Sequence, residues 1–391
     1  VKIFFTDCFD TIQLLDTLGS PFISFDKKSL YPFTFLKSCL DLRVGVLTLR
    51  EKWQKIVSGH DVQYLLASEN EEGAVWVSAN VVPSAGLLAA IRRLNRGDVL
   101  VHEGYVLACR YTHSGHYCAR EIGEKVHILK GVEDLFLLTG AEIENDFKLL
   151  VQDARVPTVS ATNQLLGNRF YIADKVSMEC VTLNSLTGPI YIDEDVTIME
   201  GAHLRGPLYL GKGAVVKMGA TIYGNVSVGE QSVVGGEIGN SVIGDFSAKG
   251  HHGYLGCSVI GDWCNLGAGT SNSNLKNNLK TVSIHDYALN GDRDTGLLKC
   301  GSFIGDYTRL GINSTLNTGT VIGIASMLAD TSFYAKFVPS FAWVFDGNTQ
   351  TYAFDKFMAY VEALYTSKGK VLSEQIKDKL NQLNKKNIIK S

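Results

Sequence analysis

The chain has 391 residues, 45% of them apolar and 20% charged, with a formal net charge of −3, enough length for two or three domains with full cores. Lysine and arginine are neither in excess nor gathered into a basic run, which argues against a nucleic-acid surface, and no stretch approaches the ~20 apolar residues of a membrane span. Eight scattered cysteines without CxxC spacing, and an opening (VKIFFTDCFDTIQ) with aspartates where an export signal would carry its apolar run, predict a cytoplasmic protein with reduced thiols.

Residues 1–155 read as a mixed α/β domain. Alternation and β-branched content predict strands over 2–5, 75–82 and, as one continuous element, 99–109, and helical spacing appears over 87–94. The segment 30–53, LYPFTFLKSCLDLRVGVLTLREKW, joins an aromatic, proline-bearing loop to Lys37, Arg43 and Arg50. Those cations read either as solvated charges of a surface helix or as a phosphate-handling loop, since guanidinium and ammonium groups are the usual partners of phosphate oxygens. An apolar set at Val132, Leu135, Phe136, Leu137 and Leu138 predicts a helix that leads out of this domain.

The composition then changes, because the 39 glycines concentrate after residue 185. An aliphatic side chain recurs at every sixth position, at Ile192, Ile198, Leu204, Leu210, Val216, Ile222, Val228 and Val234. A small or aliphatic one follows four positions after each, as at Val196, Ala202, Ala214, Ala220 and Ser232. A period of six fits neither an amphipathic helix nor a two-residue alternation; it fits a hexapeptide solenoid, a left-handed parallel β-helix in which three units make one coil of a triangular prism. The domain so predicted covers 156–338. The repeat resumes at Ile260 and Leu266 and again at Ile304, Leu310, Leu316, Ile322 and Leu328.

Two breaks interrupt it. The step from Ile243 to Ile260 is one position short of three whole hexapeptides, which reads as a loop leaving the prism, and this loop carries His251, His252 and Tyr254. The second break covers 271–300. Two protrusions one coil apart would wall a shared cleft. An adjacent histidine pair does not suit one metal ion, so a zinc site is not expected. Beyond Val338-Pro339, the segment 339–391 predicts two helices, over 351–366 and 370–386, that cap the open end of the prism or pack on a neighbour.

The stretch HHGYLGCSVIGDWCNLGAGTSNSNLKNN resembles the acetyltransferase half of the bifunctional N-acetylglucosamine-1-phosphate uridylyltransferase / glucosamine-1-phosphate acetyltransferase family. The shared pattern runs through His251, Tyr254-Leu255-Gly256, Ile260-Gly261, Asn265 to Thr270, and Asn274. The resemblance implies His251 as general base, with His252 its rival, and Asn274 orienting the histidine or the substrate. Tyr254 and Asn265 would touch a sugar phosphate, Lys280 would add a cation, and Ala268 would lie against acetyl-CoA. Gly239 or Asn240 stands where that family carries a phosphate-binding lysine, so Arg205, Lys217 or Lys249 would have to substitute; Asp306 and Ile324 stand where it carries a serine and a small residue near the acyl donor. Prisms of this class associate as trimers, which implies a homotrimer with shared clefts.

The segment 30–53 is similar to the divergent sugar nucleotidyl transferase domains that precede hexapeptide repeats, with Lys37 and Arg43 then facing phosphate. The glycine-rich phosphate loop of that class is absent, FFTDCFDTIQ standing in its place, and Asn80 stands where the class holds Mg2+ with an aspartate. The implied function is a sugar-phosphate transferase: acyl transfer to an amino-sugar phosphate at the His251 loop, with nucleotidyl transfer by the first domain. The alternative is a non-catalytic trimeric scaffold or ligand sensor.

Overall fold

The structure, a computed structural model, describes residues 3–7, 22–57, 64–66, 72–151, 159–330 and 333–386. The chain forms two compact units: one of residues 1–30, 37–43 and 47–134, the other of 31–36, 44–46 and 135–391. The segment that replaces a glycine-rich loop, from Cys8 onward, and the first residue of the strand expected over 2–5 lie outside the described residues.

The first unit is built on a six-stranded mixed sheet. Its strands are β1 (Ile3–Thr6), β2 (Tyr64–Leu66), β3 (Val75–Ser78), β4 (Asp98–His102), β5 (Tyr105–Arg110) and β6 (Cys118–Glu121), in the spatial order β2-β1-β3-β5-β4-β6. β3 is buried along its whole length, as its run VWVS requires for a central strand. The continuous strand expected over 99–109 is a hairpin instead. Glu103 and Gly104 both adopt left-handed backbone, φ +48° and +81°, and reverse the chain at the polar His102-Glu103-Gly104 triplet that separates two apolar runs.

Helix α1 (Leu49–Val57) starts on a capping box: the Glu51 amide donates to Thr48 Oγ1 at 3.2 Å, and the Thr48 amide donates to the Glu51 carboxylate at 2.7 Å. Helix α2 (Ala85–Arg92) is capped by Ser84, whose hydroxyl accepts from the Leu87 amide at 3.0 Å.

The second unit is a parallel β-solenoid with three faces, preceded by helix α3 (Asp134–Leu150) and followed by α4 (Phe354–Ser367) and α5 (Glu374–Lys385). All eight aliphatic residues of the six-residue series point into the prism and are at most 2% exposed. A regular coil is three whole hexapeptides, so that Ile198 stacks on Val216 and Val216 on Val234 along the third face. The triplet Ile-Gly-Asp, at 243–245, 260–262 and 304–306, makes a corner ladder. Asp262 Oδ1 accepts from the Asp245 amide at 2.9 Å, and Asp306 Oδ1 accepts from the Asp262 amide at 2.8 Å. A second ladder satisfies corner carbonyls from inside: Ser232 donates to Gly244 O (2.6 Å), Ser247 to Gly261 O (2.7 Å) and Thr308 to Gly323 O (2.8 Å).

Helix α3 lies with the second face, where Phe136 meets Phe303 at a centroid distance of 6.3 Å and Arg169 pairs with Glu144. The short segment 44–46 is held there as well, the Val46 amide donating to Asp146 (2.8 Å) and Ser227 Oγ donating to Gly45 O (2.8 Å).

The two C-terminal helices do not simply close the open end of the prism. They run along one corner, against Trp263, Tyr307, Ala325 and Phe341 from successive coils. These four residues have φ between +57° and +63°, a turn conformation that throws their side chains outward and leaves an apolar stripe for the helices to cover. Trp263 is sandwiched between Phe246 at 4.3 Å and Tyr365 at 4.5 Å. No helix among the described residues is long and apolar enough to cross a membrane.

Candidate active site

Between Thr221 and Asn265 the coils are shorter than three whole hexapeptides. Val233 pairs with Ala248, where regular spacing would bring up His251, and Glu237 pairs with Tyr254, where it would bring up Leu255. The corner that carries His251 is therefore no protruding loop: from inward Lys249 to inward Leu255 it is one whole hexapeptide, and the missing positions lie at Gly235-Gly236 in the coil below and between Leu255 and Ile260. Gly253, at φ +130°, sits where a side chain would run into the Thr270 carbonyl, so this corner packs closely against the turn of the next coil.

Only the second break is an insertion. Val259 pairs with Phe303, which leaves more chain between them than one coil can use. The excess forms an antiparallel hairpin, Ser283–Asp286 with Gly291–Asp294, closed at its foot by a bridge between Leu275 and Lys299. The hairpin folds back on the solenoid. Val282 and Ile284 are buried, His285 stacks on Phe337 at 3.7 Å, and Lys336 Nζ donates to Ser283 O at 2.9 Å.

Three groups of the family-like stretch meet at this corner. Tyr254 starts the first-face strand immediately after it, and Asn274 comes from the beginning of the insertion. Asn274 Nδ2 donates to Tyr254 Oη at 2.9 Å and approaches Cys257 Sγ at 3.5 Å. Gly256 is required for this geometry, because a Cβ there would occupy the space of the Tyr254 hydroxyl. Burial raises the Tyr254 pKa while the Asn274 bond works against that shift. Burial likewise raises the Cys257 thiol, opposed by Asn274 and by the charge of Lys299.

His251 and His252 are both exposed, and among the described residues neither imidazole makes a hydrogen bond. Asn274 is hydrogen-bonded to Tyr254 and not to the histidine. The histidine backbone, in contrast, is firmly held: Gly269 N–H donates to His252 O at 3.1 Å, and Lys249 Nζ donates to His251 O at 2.6 Å.

Asn265 stands on the third face around the corner, half-buried, in register with Ala248 below and Arg309 above. Ala268 is in the following turn, its carbonyl accepting from Asn313 N–H at 2.6 Å. Lys280 is exposed near the foot of the insertion.

Two of the three candidate replacement cations are displaced from the corner. Arg205 shares the first face but lies in the column Arg205, Tyr223, Gly239, Gly256, three coils away, roughly 14 Å at ~4.8 Å per coil. Lys217 lies two coils below Gly250 on the third face. Lys249 is no surface clamp at all: its side chain points into the prism. The cation that sequence reading misses is Lys299, which the Leu275 bridge and the Cys300 N–H to Asn274 O bond (2.8 Å) place beside Asn274. The whole length of the insertion separates the two in sequence, and only the closure of the hairpin brings them together. Glu237, one coil below Tyr254, escapes notice because the shortened coil shifts its register.

Asp306 and Ile324 are both buried, Asp306 in the corner ladder and Ile324 against the C-terminal helices. Another structural residue, Asn272, takes an inward position. Its Oδ1 accepts from Gly256 N–H (2.9 Å) and its Nδ2 donates to Gly256 O (3.1 Å), so one amide side chain replaces a rung of backbone ladder where the first face opens for the insertion.

In the first unit, Lys37 and Arg43 are half-buried and each already interacts with other groups of the chain. Arg50 is paired with Asp41 at 2.6 Å. Asn80 does not suit a metal ligand: its amide is occupied by Ser78 Oγ at 2.5 Å and by Leu129 O at 2.8 Å, and it is buried. Among the described residues no group of three or more His, Cys, Asp or Glu could hold a metal ion. Asp7 follows β1, and burial raises its carboxyl pKa against the opposing charge of Lys27.

Known proteins fit this picture over part of their length. Residues 23–155 match the sugar nucleotidyl transferase family model. A bifunctional sugar-1-phosphate nucleotidylyltransferase/acetyltransferase of Sulfurisphaera tokodaii is 37% identical over 164 residues, 41% of this chain and 37% of that protein. The bifunctional protein GlmU of Methanococcus maripaludis is 37% identical over 172 residues, 44% of this chain and 40% of that protein. The chain thus spans less than half the length of these curated relatives. Overlap with the solved UDP-N-acetylglucosamine acyltransferase of Francisella novicida is loose, with a TM-score of 0.33 and 14% identity over 58% of this chain and 79% of that one. Residues 23–155 thus match a sugar nucleotidyl transferase domain, and the chain is similar over part of its length to bifunctional nucleotidylyltransferase/acetyltransferase proteins.

Proposed function

We propose that the corner at 251–254, with Asn274 and the foot of the insertion, is the active site of a CoA-dependent N-acyltransferase acting on an amino-sugar phosphate. The observation that carries this reading is the Tyr254–Asn274 hydrogen bond beside an exposed histidine whose backbone is pinned. His251 takes a proton from the sugar amine as its nitrogen attacks the thioester carbonyl of acetyl-CoA. The C–N bond forms, the C–S bond breaks, and the proton passes on to the departing thiolate. Tyr254 and Asn265 hold the sugar, Lys280 and Lys299 meet its phosphate, and Ala268 lines the acyl-donor side.

The chain acts in the cytoplasm as a homotrimer, a second copy covering the exposed Tyr223, Met218 and Ile312. The first unit acts as a sugar-1-phosphate nucleotidyltransferase through Lys37 and Arg43. Mg2+ has no place at Asn80 in this reading. The amide of that residue is already committed to the protein, and no step is assigned to a metal there.

The acyltransferase reading is tested by free CoA release from acetyl-CoA with a panel of amino-sugar phosphates. Turnover should be lost in His251→Ala and retained in His252→Ala. No release with any acceptor, or equal release by both variants, would remove it. Pyrophosphate formation from a sugar-1-phosphate and a nucleoside triphosphate, lost in Lys37→Ala, tests the first unit independently. The unpartnered His251 ring favours one second reading, a non-catalytic scaffold or sensor; that reading predicts binding of a sugar phosphate without turnover.

A further inference from the structure

Along the third face the inward column reads Ile198, Val216, Val234, Lys249, Leu266, Leu310 and Leu328. One lysine occupies a position that is otherwise aliphatic. Lys249 is 1% exposed, and among the described residues it has no carboxylate partner. Its ammonium reaches two backbone carbonyls, Gly235 O at 3.2 Å and His251 O at 2.6 Å. Desolvating a cation inside an apolar prism is costly, and replacing a buried charge by an apolar side chain of similar size is commonly neutral or stabilising. A position that only had to fill the column would take Leu or Val, as its neighbours do.

The surroundings are shaped to the same end. Gly236, at φ +76°, lies directly under the corner, and a Cβ there would come within 2.8 Å of His251 O and 2.7 Å of Gly253 O. The carbonyls that follow His251 are held from outside, His252 O by Gly269 N–H (3.1 Å) and Gly253 O by Glu237 N–H (3.1 Å). The carbonyl of His251 itself is held from within.

We infer that Lys249 is a positioning residue: from inside the prism it locks the carbonyl of His251, and so fixes the corner that presents the histidine pair. Its catalytic consequence rests on the acyl-transfer reading above; its mechanical consequence does not.

The test is Lys249→Met, which keeps the length and removes both hydrogen bonds, with Lys249→Gln as a milder second variant that keeps a shorter donor. Amide hydrogen exchange is measured in the full chain. The Glu237 and Gly269 amides, which bond to the corner, should exchange about tenfold to a hundredfold faster in the Met variant, with a smaller rise in the Gln variant. Amides of the coils at 190–234 should be unchanged and the melting temperature undiminished. With acetyl-CoA and an amino-sugar phosphate, kcat should fall about tenfold or more while KM stays near that of the parent.

Unchanged exchange at the corner would overturn the inference. So would a general loss of stability in both variants with exchange raised throughout the solenoid, because Lys249 would then be a packing residue. A locally loosened corner in a protein that shows no transferase activity even as wild type would keep the inference and sink the acyl-transfer reading instead.

Discussion

The solenoid contains two kinds of coil, and they differ in what their inner columns are made of. Between 190 and 234 each coil is three whole hexapeptides and every inward side chain is aliphatic or small, so the stack is satisfied by burial and by its own ladder. Between 235 and 274 the coils fall short of that length, and two inward positions turn polar, Lys249 and Asn272. Both direct their hydrogen bonds to backbone that the regular ladder no longer serves. The regular coils show what the repeat needs in order to stack; the irregular ones show what it needs in order to present a site.

The largest effect expected from this contrast belongs to Asn272. Asn272→Leu restores the aliphatic pattern yet should destabilise the protein by about 2–5 kcal/mol, because the buried Gly256 N–H is left without its partner, Gly256 O keeps only the Ser258 hydroxyl, and Ser273 O loses the Asn272 donor. Chemical denaturation checks this, and a neutral result would mean that the rung is dispensable.

Much of this organisation can be read from the sequence, for a geometric reason. A prism with three six-residue sides leaves a strict period, and Ile192 to Val234 display it without a gap. The failures arise where spacing is ambiguous. The short step between Ile243 and Ile260 is equally compatible with a loop thrown out and a corner drawn in, and only the pairings of Ile238 with Leu255 and of Ile243 with Ile260 show that the missing position lies after Leu255 and not at the histidines. Lys249 looks like surface charge because lysine usually is; its inward direction follows from register with Val234, which the shortened coil hides. Lys299 is remote in sequence from Asn274, and the stretch 99–109 reverses on two left-handed residues, Glu103 and Gly104, between two apolar runs that read as one strand. The fold is thus more legible than the site, since stacking imposes periodicity and a site interrupts it.

The next effect in size concerns pH. Burial lowers the Lys249 pKa to about 8 from the ordinary lysine value near 10.5. Between those two values the unfolded chain binds more protons at this position than the native protein, so stability contributed by this residue rises with pH across that window. Measured as the difference between wild type and Lys249→Met, the gain should approach on the order of 3 kcal/mol and be absent below about pH 7. A flat difference across this window would show that the ammonium is better solvated than its position implies.

A smaller effect is expected at Gly256, where the added methyl of Gly256→Ala displaces the Tyr254 ring. Overpacking of this kind costs about 1–3 kcal/mol, and it should raise KM for the sugar phosphate more than it lowers stability. The corresponding change in a regular coil, Ala214→Gly, should leave KM untouched.

The most direct measurement of the central claim is a double-mutant cycle on Tyr254 and Asn274, read as kcat/KM for acetyl transfer to an amino-sugar phosphate. If the 2.9 Å bond makes the two side chains one device, Tyr254→Phe and Asn274→Ala should each lower the rate, and the double variant should be little worse than either alone. Strictly additive losses would contradict the account, because two residues acting independently on the substrate would not need the corner geometry that holds them together.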